Sequence, residues 1–314
     1  WTPRNADLVA GRRLMLHAHV TPGPGFTTQA VRAVVRLENG AIDQSFEAEV
    51  LVDGPSVPGD FTTVISVDLP AAAITPATQF SMALTSTGGT ATPIGVAHAA
   101  RWPRDGVTAP LGAVEAGGLH LVLVPVEWSS DGSGRLPDLG AARLASLEAL
   151  LLSLYPISAV TLDVHAPLPW SDGLTWSGNV DFGNLNAALI DLRYADGAPA
   201  DTYYYAVVKP ADTFGDYCGG SCVTGQSYVV DDPADADIRV GSGVGFEGDD
   251  WTWTLAHETG HMHGRGHAPC DVSSSDPDYP YDWGLIGVWG IDLRDVSYRS
   301  PDLYGDLMGY CDDT

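Results

Sequence analysis

Residues 257–267 read His-Glu-Thr-Gly-His-Met-His-Gly-Arg-Gly-His. His257 and His261 are four apart, so on a helix they share one face and can aim a ring nitrogen at one metal ion. Glu258 follows the first of them and reaches the same space from the same turn. Gly264 can take a positive φ, which ends the helix and turns the chain. The turn returns His267 to complete a three-histidine set. Three protein ligands leave one position open for water, as a catalytic zinc requires and a structural zinc avoids. His-Glu-x-x-His alone occurs by chance in ~1% of chains this long, and the added glycine and third histidine lower that to roughly one in a hundred thousand. The competing reading is a helix carrying solvated histidines by accident, but every fixed position here also fits the mechanics of a metal site.

A second signal lies at 306–311, Asp-Leu-Met-Gly-Tyr-Cys. Met308 is one of only four methionines. Together the two stretches resemble the metzincin zinc endopeptidases, which place a methionine-containing tight turn beneath the zinc histidines. They cover about 17 of the 314 residues. The resemblance implies one Zn²⁺ on His257, His261 and His267, with Gly264 and Met308 structural at the site. It implies Glu258 as general base and later proton donor to the leaving amine. It also implies Tyr310 as a switchable ligand that hydrogen-bonds the transition state, against the plain alternative of a buried tyrosine with a satisfied hydroxyl. Ala268 follows the third histidine where several branches carry Glu, Asp, Ser or Pro, so the branch is open. The chain ends four residues after Tyr310, where the family continues into a helix, and a trimmed or processed chain is expected. Repeats of the calcium-binding Gly-Gly-x-Gly-x-Asp type are absent.

Other catalytic classes find less support. No Gly-x-Ser-x-Gly surrounds any serine, and paired thiols cannot serve as nucleophiles. The leading expectation is a secreted zinc endopeptidase. Its family resemblance extends to bacterial enzymes that cut mucin-like, O-glycosylated proteins. The alternatives are an extracellular protease of general specificity and a catalytically silent, glycoprotein-binding module; the intact Glu258 argues against the last.

The elements that must position these residues are of two kinds. Up to about residue 105, five segments have strand-like composition: 14–20, 31–37, 45–52, 61–69 and 79–85. Turn signals such as Asn39-Gly40, Asp53-Gly54-Pro55 and Gly88-Gly89 separate them. This spacing predicts an immunoglobulin-like sandwich over 1–105. His17 and His19 share one face of the first strand, which reads as an ordinary surface face. A Pro- and Gly-rich linker is expected at 106–118. From 119 the pattern alternates: a near-continuous apolar strand at 119–126, a helix at 139–154 stopped by Pro156, a strand at 159–164, a helix at 184–194 and a strand at 203–208. Short strands are expected at 227–230 and 238–240, then the metal-site helix over 250–263 capped by Asp249. The expected class is therefore α+β, with a metzincin-like catalytic domain over 119–314. That family binds extended substrate along an antiparallel edge strand, which 225–246 is expected to supply. The aromatics of 279–289 are expected to wall the pocket, to stack on sugar rings, or to pack under a long loop.

The net charge is −25, with Lys209 the sole lysine against 14 arginines. This argues against nucleic acid and anionic membrane as partners, and no apolar run reaches the ~18 residues of a spanning helix. Protein or glycoprotein substrate is the expected partner and the expected state a monomer. Without an initiator Met or signal peptide, Trp1 reads as a mature or engineered start. The acidity supplies solubility; Ca²⁺ on the aspartates of 231–237 is the competing reading, though the run matches no defined calcium loop. Four cysteines allow three pairings, and a four-thiolate zinc is the alternative. With the metzincin resemblance, Cys270 and Cys311 both fall near the floor of the site. This implies Cys270–Cys311 and Cys218–Cys222 disulfides and a location outside the cytoplasm.

Overall fold

A computed structural model describes residues 6–40, 43–86, 100–248 and 250–311. The chain divides into two compact units, one of residues 1–117 with 156–158, the other of 118–155 with 159–314. The Gly88-Gly89 turn and the Asp249 cap lie outside the described residues.

The first unit is built mainly of antiparallel sheets. Strands β1 (Leu8–Val9), β2 (Leu14–Ala18), β3 (Gln29–Glu38), β4 (Asp43–Val52), β5 (Ile65–Leu69), β6 (Gln79–Ser86), β7 (Arg101–Trp102), β8 (Ala109–Pro110) and β9 (Ala113–Val114) follow in order. The larger sheet runs β4-β3-β6-β7, with β8 also on β6, and β2 pairs β5, while β1 and β9 pair in parallel. On β3 the alternation is clean: Val31, Ala33, Val35 and Leu37 are buried while Arg32 and Arg36 face out. Ile65, Val67 and Leu69 of β5 enter the same core. Two expectations need adjusting. The strand expected at 61–69 opens as a 3₁₀ turn, Phe61–Thr63, because the Asp60 carboxylate accepts from the Thr62 N–H and caps it. The stretch expected as a linker carries β8 and β9, which pair with β6 and β1.

The second unit holds a mixed sheet and, among the described residues, four helices. Its elements are β10 (Leu119–Trp128), α1 (Ala141–Leu154), β11 (Val160–Val164), β12 (Leu168–Trp170), α2 (Phe182–Ala195), β13 (Thr202–Val208), α3 (Phe214–Tyr217), β14 (Gly225–Ser227), β15 (Val240–Val244), α4 (Asp250–Met262), β16 (Gly290–Asp292) and β17 (Ser297–Arg299). The sheet order is β11-β10-β13-β15-β14, with β12 also on β10. All neighbours are parallel except β14, which runs antiparallel along β15 at the edge.

Parity along the strands assigns the two faces. Val122, Val124 and Val126 of β10 and Tyr204, Ala206 and Val208 of β13 pack with Phe182, Leu185 and Leu189 of α2. Residues of the opposite parity, Leu121, Leu123 and Tyr205, are buried on the other face. There α4 packs on β14 and β15, and α1 packs on α4. Cover on both faces explains the uninterrupted apolar run in β10. The hydroxyl of Tyr155, just past α1, donates to Ala256 O at 2.6 Å and ties α1 to α4.

The short strands expected at 227–230 and 238–240 are displaced. β14 ends at Ser227, and β15 begins where the second was expected to end. Glycines 225, 241 and 243 have poor strand propensity and hid both strands. The close packing explains them: a Cβ on Gly243 would overlap the Tyr205 hydroxyl, and one on Gly241 would stand 3.0 Å from Ser227 Cβ.

The β16–β17 hairpin closes around Asp292, which is 8% exposed. Its carboxylate accepts from Arg294 Nε at 3.1 Å and from an Arg299 terminal nitrogen at 3.0 Å. The Arg294 bonds, with the charge of both arginines, hold the Asp292 carboxyl below the ordinary carboxylate range. Its stabilisation is therefore full above pH ~4 and is lost as pH falls through the depressed value. Asp292→Asn is expected to cost about 2 kcal/mol at pH 7. In urea unfolding, the gap between variant and parent should narrow below pH ~4; a gap independent of pH would contradict this account.

Candidate metal centre

The centre is assembled by one helix end and one turn. α4 carries His257, Glu258 and His261, and its C-terminus closes in a Schellman arrangement. Arg265 N–H donates to Gly260 O at 3.0 Å and Gly264 N–H to His261 O at 2.8 Å. Gly264 has φ +82°, and a Cβ there would stand 2.9 Å from Val230 O, so both conformation and space demand glycine. This reversal brings His267 back over the helix.

Beneath the histidines lies the turn 306–309, closed by Gly309 N–H to Asp306 O at 2.9 Å. Met308 is buried, and its sulfur occupies the space that a Cβ on Gly260 would need. Ala268 N–H donates to Met308 O at 3.0 Å, and Asp306 Oδ1 accepts the Met308 N–H at 2.9 Å. Cys270 is disulfide-bonded to Cys311 and Cys218 to Cys222. The first bridge joins the chain after His267 to the chain after Tyr310, and Tyr310 N–H donates to Cys270 O at 3.0 Å.

The three imidazoles form a group able to hold a metal ion, with donor atoms within 4.8 Å of one another. His257 Nδ1 lies 2.7 Å from Leu307 O, and His261 Nδ1 lies 2.7 Å from Arg265 O. A carbonyl only accepts, so each Nδ1 carries the proton and each Nε2 keeps its lone pair. His257 Nε2 is buried and finds no hydrogen-bond partner among the described residues. His261 Nε2 lies 3.1 Å from His267 Nε2. A cation among the three nitrogens satisfies all of these atoms. Burial, only partly offset by the Leu307 carbonyl, pushes His257 down to about 4, and burial likewise lowers His261. Both therefore stay neutral at physiological pH, the form that ligates.

Glu258 is 6% exposed, and burial pushes its carboxyl up to about 7 despite a hydrogen bond from Ser227. The Tyr310 hydroxyl lies 3.0 Å from His267 Nε2 on an exposed ring, so it is not the buried tyrosine of the plain reading. Burial of the hydroxyl and the nearby Glu258 charge raise its pKa. These groups open onto a cleft of about 570 Å³. Gly225, Gln226 and Ser227 of β14 form one side, and Ser274, Asp276 and Pro277 also line it.

Several expected residues lie elsewhere. None of 279–289 is among the residues lining this cleft. Tyr279 is turned away by donating its hydroxyl to Leu285 O at 2.9 Å, and Tyr281 packs against Gly287. Trp283 is 78% exposed with φ +62°, a conformation uncommon for a bulky residue. The aspartates of 231–237 form no metal-holding group: among the described residues the His257–His261–His267 set is the one found. Asp232 instead caps the Ala234 N–H. His17 is occupied by Ser66 Oγ at 2.9 Å.

The sequence places Gly225 and Ser227 near the expected edge strand but gives neither of them, nor Asn186, a role at the site. Asn186 Oδ1 accepts from Ser242 Oγ at 2.7 Å, and its amide donates to Gln226 O at 3.0 Å, bracing β14 and β15 from the α2 side. A lone Asn at a buried helix position is the one signal for it. Gly225 and Ser227 carry none.

No protein-family model matches the chain, and no curated protein matches it. The two disulfides suggest an oxidising, extracellular location, and among the described residues no helix is long and apolar enough to cross a membrane.

Proposed function

We propose that the chain is a secreted zinc endopeptidase of the metzincin type, with an immunoglobulin-like accessory domain before its catalytic domain. The observation that carries this reading is the buried, unpartnered Nε2 of His257, which converges with His261 and His267 beside a buried Glu258. Zn²⁺ suits an all-imidazole set with an open position, and when bound it supplies the Lewis acidity that polarises a carbonyl and acidifies water. His257, His261 and His267 would hold it. Leu307 O and Arg265 O fix the tautomers of the first two.

The substrate backbone is received by β14. Val244 N–H donates to Thr224 O at 2.8 Å, which fixes the alternation of the β14–β15 ladder. By that alternation the backbone groups of Gly225 and Ser227 turn to the open edge, where an extended peptide adds as a further strand. Glu258 then removes a proton from the attacking water and delivers it to the leaving amine. Burial favours the protonated form of this carboxyl, which suits its return of the proton. Tyr310, beside His267, donates to the developing oxyanion.

The finer reading of substrate is an O-glycosylated protein. It rests on the resemblance and on the exposed Trp283 and Trp289. A mucin-type glycoprotein offered with and without its O-glycans tests it. Cleavage of the glycosylated form alone is expected; equal cleavage of the bare form makes the chain a protease of general specificity.

A further inference from the structure

The strand that would receive substrate also grips the general base. Ser227 Oγ lies 2.6 Å from Glu258 Oε2 and 2.9 Å from the Glu258 main-chain oxygen. Gly225, two residues earlier on the same face of β14, borders the other carboxyl oxygen: a Cβ there would stand 3.0 Å from Glu258 Oε1 and 2.6 Å from Thr254 Cγ2. One strand residue thus binds Oε2, and the next on that face leaves the space beside Oε1 clear. The same two residues turn their backbone groups to the open edge.

We propose that Ser227 is a positioning residue. It clamps Glu258 Oε2 and so holds Oε1 towards the cleft, coupling the seating of a peptide on β14 to the placement of the base. The inference rests on the hydrolytic reading above. Glu258 leaves α4 with three rotatable side-chain bonds. The described hydrogen bond to its carboxyl comes from Ser227, whose own strand is fixed by its ladder with β15. Without the hydroxyl the carboxyl can rotate within the cleft, and a misplacement of about 1 Å costs on the order of 100-fold in rate. Peptide binding depends on the backbone of β14, which the substitution leaves intact.

Ser227→Ala, Ser227→Thr, Glu258→Ala and the Ser227→Ala/Glu258→Ala pair provide the test, with an unstructured protein offered in both O-glycosylated and bare form as substrate. In the zinc-loaded protein, Ser227→Ala is expected to lower kcat about 10- to 100-fold with KM and zinc content unchanged, and Ser227→Thr to recover most of it. In the metal-free protein, the effects of Ser227→Ala and Glu258→Ala on the unfolding equilibrium constant are expected to be non-additive by about tenfold. Zinc-loaded parent protein that cleaves nothing overturns the hydrolytic reading and the positioning role together. An active parent with Ser227→Ala unchanged in kcat, or with additive effects in the metal-free protein, overturns the positioning role alone.

Discussion

Glu258→Gln is expected to lower kcat by about 10²- to 10⁴-fold while leaving one zinc per chain. The substitution keeps shape and volume, and the amide still accepts from Ser227 Oγ, so packing against β14 survives. What disappears is a group able to take and return a proton. Glu258 is not among the three donor nitrogens, so metal content has no reason to change. Zinc by elemental analysis and turnover on one substrate separate the two effects. Turnover within threefold of the parent would remove Glu258 from the chemistry; parallel loss of zinc and turnover would make it a structural residue.

His267→Ala is expected to weaken zinc binding by more than about 100-fold, beyond the usual effect of losing an outer partner of a ligand. His267 is the candidate ligand contributed by the returning chain rather than by α4. Its removal leaves two nitrogens and also strips the Tyr310 hydroxyl of its partner 3.0 Å away. The helix end, closed by Gly264, and the Cys270–Cys311 bridge remain, so the thermal stability of the metal-free protein should change little. Competition against a chelator reads the affinity. An unchanged affinity would place the metal elsewhere; unfolding of the metal-free variant would make His267 a core residue first.

Much of this centre is legible in the sequence because its parts are local. His257, Glu258 and His261 need only helical periodicity, and Gly264 needs only the left-handed conformation that ends the helix. Met308 and Tyr310 lie far along the chain, and only a family resemblance links them to the helix; the geometry then sets Met308 against Gly260 and Tyr310 against His267. The sheet strands that are buried on both faces, β10 and β13, declare themselves by apolar runs. The edge of the sheet does not. β14 is three residues long and β15 reads Val-Gly-Ser-Gly-Val, a composition dictated by the approach of Tyr205 and Ser227 rather than by strand propensity. Ser227 is invisible for the same reason: its partner is 31 residues away, and nothing in Gly-Gln-Ser marks it. The aromatics of 279–289 divide among the roles that sequence leaves open: Tyr279 and Tyr281 pack within their own loop while Trp283 and Trp289 stand exposed, and hydrophobic bulk in a loop does not reveal which face it presents.

The most direct test is a titration of chelator-treated protein with Zn²⁺, following cleavage of an unstructured substrate, O-glycosylated and bare, by mass spectrometry of the new termini. Expected are no cleavage without metal, activity rising linearly to one equivalent and then level, and at most about a hundredth of that activity at any point for Glu258→Gln. Protein that takes up one zinc on its histidines and leaves every peptide bond intact would contradict the hydrolytic reading.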